Sequence, residues 1–543
     1  MAIIDLGKIK LTNRGDWDNA TAYEVDDFVL HGNHTFICIQ ANTNEGPYDI
    51  ATGTLNAQYW NFLAKGSAQS DWNADAGDSQ ILNRPVTLEP HLRVKAFPRH
   101  ESGLHSYRCG MVLMEDDTVR CWGYSENGAH GTGYNYNLTK YLPVTVGLNG
   151  KASKIFQSRG CGYAIMKDGG VKAWGYNGYG SFGLNNTTLR PSPVDVPLPP
   201  GRTCIDIATP SAIGYSNAHV LYLLDDNTVR AAGYNGYGQL GDNSTVQRKY
   251  LVDPGLSGIT EIYTSGGQYG ASYAIKNDGT AWAWGYNPTG QLGVGDTVNK
   301  SAPVQVILPA GSHCVKIQPV GIATNGNCFF LLDDGRLFAT GYNGQGTLGT
   351  GNASNKSTPI DVTPAGRTVT DVRCTTGTGG STIILLDDKS IRTVGENVNG
   401  TLGVGSVTDH STWQNPGMTD VLQIHAANIQ NADGHFAVLV DVGNGDGSGK
   451  VYACGYNGNG NLGIGHKTNL AASNGMNDPR LFQAVFAPGN IVEMTSIGQT
   501  TECCLMLRDS SGNVLTTGFN TGGQRGNDPT PANIDSVFSR VPV

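Results

Sequence analysis

The chain has 543 residues, 75 of them glycine, with 15% charged side chains and a net charge of −9. No Lys/Arg cluster breaks this acidic balance, which argues against nucleic acid as a partner, since phosphate backbones demand a basic footprint. No apolar run reaches the roughly 18 residues of a membrane span, and Met1-Ala2-Ile3-Ile4-Asp5 lacks the basic-then-apolar start of a signal peptide.

The first 66 residues form a module of their own. Its pattern is Gly15-Asp16-Trp17, then Tyr23, Asp27, Val29, Gly32, Phe36 and Cys38, and finally Tyr59-Trp60 before Ala64-Lys65-Gly66. Residues 67–88 are small and polar and read as a linker. From residue 89 to 543 one phrase recurs eight times, its first glycine at Gly123, Gly175, Gly233, Gly285, Gly341, Gly395, Gly455 and Gly518. The intervals are 52, 58, 52, 56, 54, 60 and 63 residues, which marks an array of supersecondary units.

Each unit has the same grammar. A short alternating segment (Ala152-Ser153-Lys154-Ile155-Phe156) precedes an apolar strand (Val220-Leu221-Tyr222-Leu223-Leu224). A turn such as Asp168-Gly169, Asp225-Asp226-Asn227, Asp278-Gly279 or Asp334-Gly335 follows, supplying the positive φ of a tight hairpin. The returning strand enters the Gly-Tyr-Asn loop, and a Pro-led edge strand such as Pro193-Val194-Asp195-Val196 closes the unit. Four strands per unit without helical periodicity predict an all-β protein containing one β-propeller. Eight complete units favour eight blades, with seven as the alternative. Leu240, Leu292, Leu348, Leu402 and Leu462 are expected to plug the space between blades.

The phrase WGxNxxGQLG followed by a Pro-Val strand, best seen at Trp174–Gly183 and Trp284–Gly293, resembles the regulator of chromosome condensation repeat. That resemblance spans residues 89–543 and implies a propeller, usually of seven blades in the family. The N-terminal pattern resembles small chitin-binding-like carbohydrate-binding modules, more closely those of bacteriophage tail fibres. By that resemblance Trp17, Tyr23 and Trp60 are either a sugar platform or the module's own core. The region Gln40–Gly46 lacks the extra aromatics of the sugar-binding versions.

Motifs for chemistry are scarce. Twelve histidines are dispersed without paired metal spacing, and no Ser lies in a nucleophile elbow. Asp441–Ser448 alternates oxygen ligands as calcium loops do but lacks the closing Glu. The acid pairs Asp116-Asp117, Asp225-Asp226, Asp333-Asp334 and Asp387-Asp388 share one hairpin position and read as turn formers. The eleven cysteines, mostly in apolar strands, read as small buried hydrophobes of a reducing cytoplasm. No catalytic residue, metal or cofactor is expected.

One repeated position invites a binding role. Between Gly and Asn stand Tyr124, Tyr176, Tyr234, Tyr286, Tyr342, Tyr456 and Phe519, which repeat symmetry places as an aromatic ring on one face. The alternative is that each ring packs on its own loop. Together these features predict a bacteriophage virion protein, a tail fibre or receptor-binding adhesin assembled in the host cytoplasm. Its N-terminal module would join other virion proteins, its propeller would meet a host cell-surface glycan or protein, and homo-oligomerisation is left open. The alternatives are a capsid-surface decoration protein or a non-viral propeller interaction protein, either a GTPase regulator or a secreted inhibitor or adhesin.

Overall fold

The computed structural model describes residues 12–16, 22–23, 27–31, 34–38, 42–43 and 60–65. From residue 93 onward it describes everything except 99–108, 135–137, 159, 210–218, 267–268, 323–324, 376–379, 428–433, 444, 469–477, 486, 488–489, 498–502, 521–522 and 527–534. The chain divides into two compact units, Met1–His91 and Leu92–Val543. In the first, Thr12–Asp16 pairs in parallel with Asp27–His31, which pairs antiparallel with His34–Cys38, and that in turn with Trp60–Lys65. Ala22–Tyr23 and Asn42–Thr43 make a separate two-stranded ribbon.

Among the described residues the second unit is a propeller of eight four-stranded blades. Blades 1 to 4 begin at Val94, Ala152, Cys204 and Ile259, and blades 5 to 8 at Cys314, Val369, Val421 and Ile491. Blades 1 to 6 are separate meanders, and blades 7 and 8 touch through the bridge Gly449↔Ile491. Within a blade the burial gradient follows the residue types. The second strand is the most apolar, and all six residues of His219–Leu224 are buried, as are all six of Ser381–Leu386. The fourth strand is the rim, with Arg190–Asp195 half-buried or exposed throughout. Its proline tolerates this place because the outer edge needs no further ladder partner.

The apolar core lies between blades, not within them. Each of eight buried clusters draws its residues from two adjacent blades. Leu240, Leu292, Leu348, Leu402 and Leu462 are fully buried in five of these seams, as the repeat phrase led one to expect. In blades 1, 2 and 8 the same loop position holds His130, Phe182 and Arg525, all buried.

Hydrogen bonds stitch the seams as well. The Gly-Tyr-Asn loop of each blade offers a carbonyl to a donor of the next blade. Trp174 Nε1 donates to Ala129 O at 2.9 Å, Tyr222 OH to Ser181 O at 2.9 Å and Trp284 Nε1 to Gln239 O at 2.9 Å. The series continues with Thr340 to Gly290, Thr382 to Thr347, Cys454 to Thr401 and Thr517 to Gly460. Trp122 Nε1 to Gln524 O, at 2.7 Å, joins blade 1 to blade 8 and completes the circuit. At the opposite rim the first strand of a blade donates its leading N–H to the preceding hairpin turn. Cys204 N to Gly169 O and Cys314 N to Gly279 O are both 2.8 Å, and Val94 N to Gly512 O, 3.1 Å, is the closing member. The C-terminal strand Asp535–Val541 pairs with Val514–Gly518 of its own blade. Closure is therefore side-by-side packing, in which Val94, Trp122 and Val541 share one cluster.

The hairpin acids serve their turns. Thr118 N and Oγ1 both donate to Asp116 Oδ1, and Thr280 does the same with Asp278. Gly169, Gly279 and Gly335 carry φ of 82°, 78° and 81°, and Asn227 carries 60°, the left-handed region that such turns require.

Trp122 tests the closure. Replacing this fully buried indole by Ala should lower the stability by about 3–5 kcal/mol in urea unfolding, the usual cost of truncating a core aromatic. A loss below about 1 kcal/mol would mean that blades 8 and 1 do not share a packed seam.

Candidate functional site

The Gly-Tyr-Asn loops form one face of the propeller, and their geometry begins with the asparagine. Asn235 is fully buried. Its Oδ1 accepts from Leu240 N at 2.9 Å, while Nδ2 donates to the carbonyls of Ser244 and Val246, both at 3.1 Å. Asn177, Asn287, Asn343 and Asn397 repeat this three-way clasp. The leading glycine sits at φ of 96° in Gly175 and 113° in Gly233. A Cβ on Gly175 would collide with the Gly160 carbonyl.

With Asn turned inward, the preceding aromatic lies on the loop surface. Tyr124, Tyr176, Tyr234, Tyr342, Tyr456 and Phe519 are half-buried, and Tyr286 is buried with 7% exposure. The tyrosines fold back over their own loops, so that a Cβ on Gly178, Gly236, Gly344 or Gly458 would overlap the ring two residues earlier. Blade 6 carries buried Glu396 at this position.

The face is not eightfold symmetric. In blades 2 to 4 further tyrosines from neighbouring positions join the series into one sheet of rings. Tyr179 meets Tyr234 edge-on at 5.6 Å, and Tyr234 meets Tyr237 at 6.4 Å. Tyr237 and Tyr269 both approach Tyr286, each at 4.9 Å between centroids. Edge-to-face and tilted arrangements of this kind are favourable for the rings' quadrupoles. Burial, followed by the neighbouring phenols, raises the Tyr234, Tyr237 and Tyr286 hydroxyls above their ordinary range. They stay neutral and can both donate and accept. Tyr179, Tyr237 and Tyr269 escaped the sequence reading. Tyr179 and Tyr237 were visible as the second Tyr of GYNGYG, but only the fold brings them against Tyr234 and Tyr286.

A second feature was hidden in the alternating first strands. Their third residue repeats around the propeller axis as Lys154, Asp206, Glu261, Lys316, Asp371, Gln423 and Glu493. Neighbours pair across seams or along a strand pair: Lys316 with Asp371, and Arg508 Nε with Glu493 Oε2 at 2.7 Å. Burial raises the Asp371 carboxyl, but Arg373 and Lys316 outweigh it and hold that group below the usual range.

Trp17 lies outside the described residues. Tyr23 and Trp60 lie on strands whose side chains are also outside them. In the Asp441–Ser448 loop, Gly443 N donates to Asp441 Oδ1 and Ser448 Oγ to Asp446 Oδ1, so these carboxylates cap their own turns. Among the described residues no group of three or more His, Cys, Asp and Glu side chains is placed to hold a metal ion. The ten described cysteines are buried and unbridged. Burial pushes the Cys161, Cys314, Cys374 and Cys503 thiols up to about 12.

A closed ring of four-stranded blades defines a β-propeller, and its loop phrase is similar to the regulator of chromosome condensation repeat. The RCC1 repeat, regulator of chromosome condensation, matches residues 278–318 and 334–378. Among relatives, the ultraviolet-B receptor UVR8 of Arabidopsis thaliana is 26% identical over 287 residues, 52% of this chain and 61% of the receptor. The E3 ubiquitin-protein ligase HERC2 of Homo sapiens is 28% identical over 307 residues, 55% of this chain and 6% of the ligase. Each match thus covers less than two thirds of the relative's length. The crystal structure of human WBSCR16 superposes with a TM-score of 0.51 at 20% identity, covering 73% of this chain and 100% of that one, a likeness of fold.

Two buried histidines give the propeller a pH signature. His219 and His435 each open a second strand, are fully buried, and have their imidazole pKa lowered to about 3 by burial. Unfolded histidine takes up its proton near pH 6.5. Between about pH 6.5 and 3 the unfolded chain therefore binds protons that the folded one refuses, and stability falls as pH falls. The melting temperature should drop between about pH 7 and 5, before most carboxylates titrate. The drop should flatten in the double variant His219→Ser, His435→Ser, and an equal slope in both proteins would remove the histidines as its cause.

Proposed function

We propose that this protein is a non-catalytic interaction scaffold whose propeller engages a macromolecular partner across the face carrying the Gly-Tyr-Asn loops. The observation that carries this reading is the contiguous tyrosine patch Tyr179, Tyr234, Tyr237, Tyr269 and Tyr286. Tyrosines present apolar area and a neutral hydroxyl at small entropic cost, the combination favoured in recognition surfaces. The patch draws on blades 2 to 4, whereas the opposite rim is built of acidic turns already engaged by their own hydroxyls and by cations such as Arg202 and Arg367. The full aromatic series, with Tyr124, Tyr176, Tyr342, Tyr456 and Phe519, extends the same face around the ring.

A photo-crosslinking residue placed at Tyr237, compared with one at Asp278 on the opposite rim, tests the assignment in the native host. A single partner captured from Tyr237 and not from Asp278 is the expected result. Equal capture from both, or none from either, would refute the choice of face.

A second reading rests on the N-terminal pattern Gly15-Asp16-Trp17 to Tyr59-Trp60 and on its place in a separate compact unit. In this reading the chain is a virion protein, a tail fibre or adhesin. Residues 1–66 join it to other particle proteins, and the propeller face meets a host-surface glycan or protein. Mass spectrometry of purified particles should then find the chain at stoichiometric level, and a chain beginning near Glu89 should be missing from them. Particles without the protein would end this reading while leaving the interaction scaffold untouched.

A further inference from the structure

We propose that the central channel of the propeller holds a binding site for a small carboxylic acid that also bears a hydroxyl or amino group. The channel wall from blades 5 to 8 and 1 to 2 encloses a cavity of about 480 Å³, within the range of small-molecule sites. Gln318, on the first strand of blade 5, is among the residues lining this cavity, and it is fully buried. Neither its Oε1 nor its Nε2 has a hydrogen-bond partner. Buried amides are nearly always satisfied, because leaving such a group unpaired is costly. An unpaired donor and acceptor on one side chain at a cavity wall call for a ligand with one group of each kind.

The charges around Gln318 choose the ligand's sign. The cavity is lined by Lys154, Asp371, Arg373 and Glu493. Both acids are already neutralised, Asp371 by Lys316 and Glu493 by Arg508. Arg373 spends only its Nε, on Asp371 Oδ2 at 3.4 Å. Its two terminal nitrogens remain uncommitted among the described residues, and they form the planar fork that carboxylates accept. With both acids paired to Lys316 and Arg508, which lie behind the lining, Lys154 and Arg373 leave this wall locally positive in a chain of net charge −9. A carboxylate on the Arg373 fork can accept from Gln318 Nε2, and a neighbouring hydroxyl or ammonium can donate to Gln318 Oε1. Repeat symmetry favours the same wall. Arg373, His425 and Thr495 occupy in blades 6 to 8 the strand position of Gln318 in blade 5, where blades 1 and 2 have Pro98 and Phe156. The polar arc is thus local to one side of the axis.

The site is tested by calorimetric titration and thermal shift of the full chain with malate, citrate and glutamate. At least one of these probes should bind saturably in the millimolar range or tighter. Gln318→Leu should keep or raise the melting temperature, since it removes two unpaired polar atoms, yet weaken binding by about tenfold or more. Arg373→Met should weaken binding at least as much with the fold intact by circular dichroism. The proposal is overturned if none of the probes saturates, or if both variants bind as the parent does. A variant that loses its fold is replaced by Gln318→Glu, whose added negative charge should also repel the probe. Undiminished binding there overturns the site equally.

Discussion

The propeller depends on a backbone carbonyl that each Gly-Tyr-Asn loop hands to the next blade. A single blade cannot bury its two faces, and its loop carbonyls would be left unpaired once a neighbour covered them. The asparagine clasp solves the local problem by holding the loop in one shape. The indole, hydroxyl or thiol of the following blade solves the remote one. The donors differ chemically from Trp122 to Thr382 to Cys454, but all reach the same part of the loop. What recurs is a geometric obligation, and several side chains can meet it.

That explains which parts were readable in advance. Glycines at positive φ and acidic turns are demanded by local geometry, and a leucine plug recurs in five of the eight copies, so together they announce the fold. The plug at Leu240 or Leu402 could be named because an apolar residue in a fixed loop position has few other uses. The seam donors were less visible, since Trp, Tyr, Thr and Cys share no obvious sequence class. The polar residues of the first strands were invisible as a group. Lys154, Asp371 and Glu493 each look like an ordinary solvent-facing residue in an alternating segment, and only the closed ring sets them around a common axis. The aromatic series was legible as a pattern, but its uneven clustering was not. Tyr269 lies in a different loop from Tyr286, and chain order gives no hint that the rings are 4.9 Å apart.

Repetition and individuality are therefore divided between layers of the molecule. The seams are nearly uniform and carry the fold. The loop face and the channel wall depart from uniformity in different places: the tyrosines gather on blades 2 to 4, the polar arc of Gln318, Arg373 and His425 on blades 5 to 7. The tyrosine departure leaves the seams alone, because the Asn clasp and the buried plug lie beneath the positions that vary. A scaffold built this way can change what it recognises without renegotiating how it holds together.

The manner of closure has a mechanical consequence. In a ring whose last blade is woven from both chain ends, a pull on either terminus is resisted in shear by a latched strand. Here Asp535–Val541 belongs wholly to the last blade and lies on its outer edge. Tension applied at the C-terminus therefore loads that strand's few ladder bonds in sequence, as a zipper, starting with the pair Val514↔Val541. The direction in which load reaches the last strand decides whether its ladder is sheared at once or peeled bond by bond.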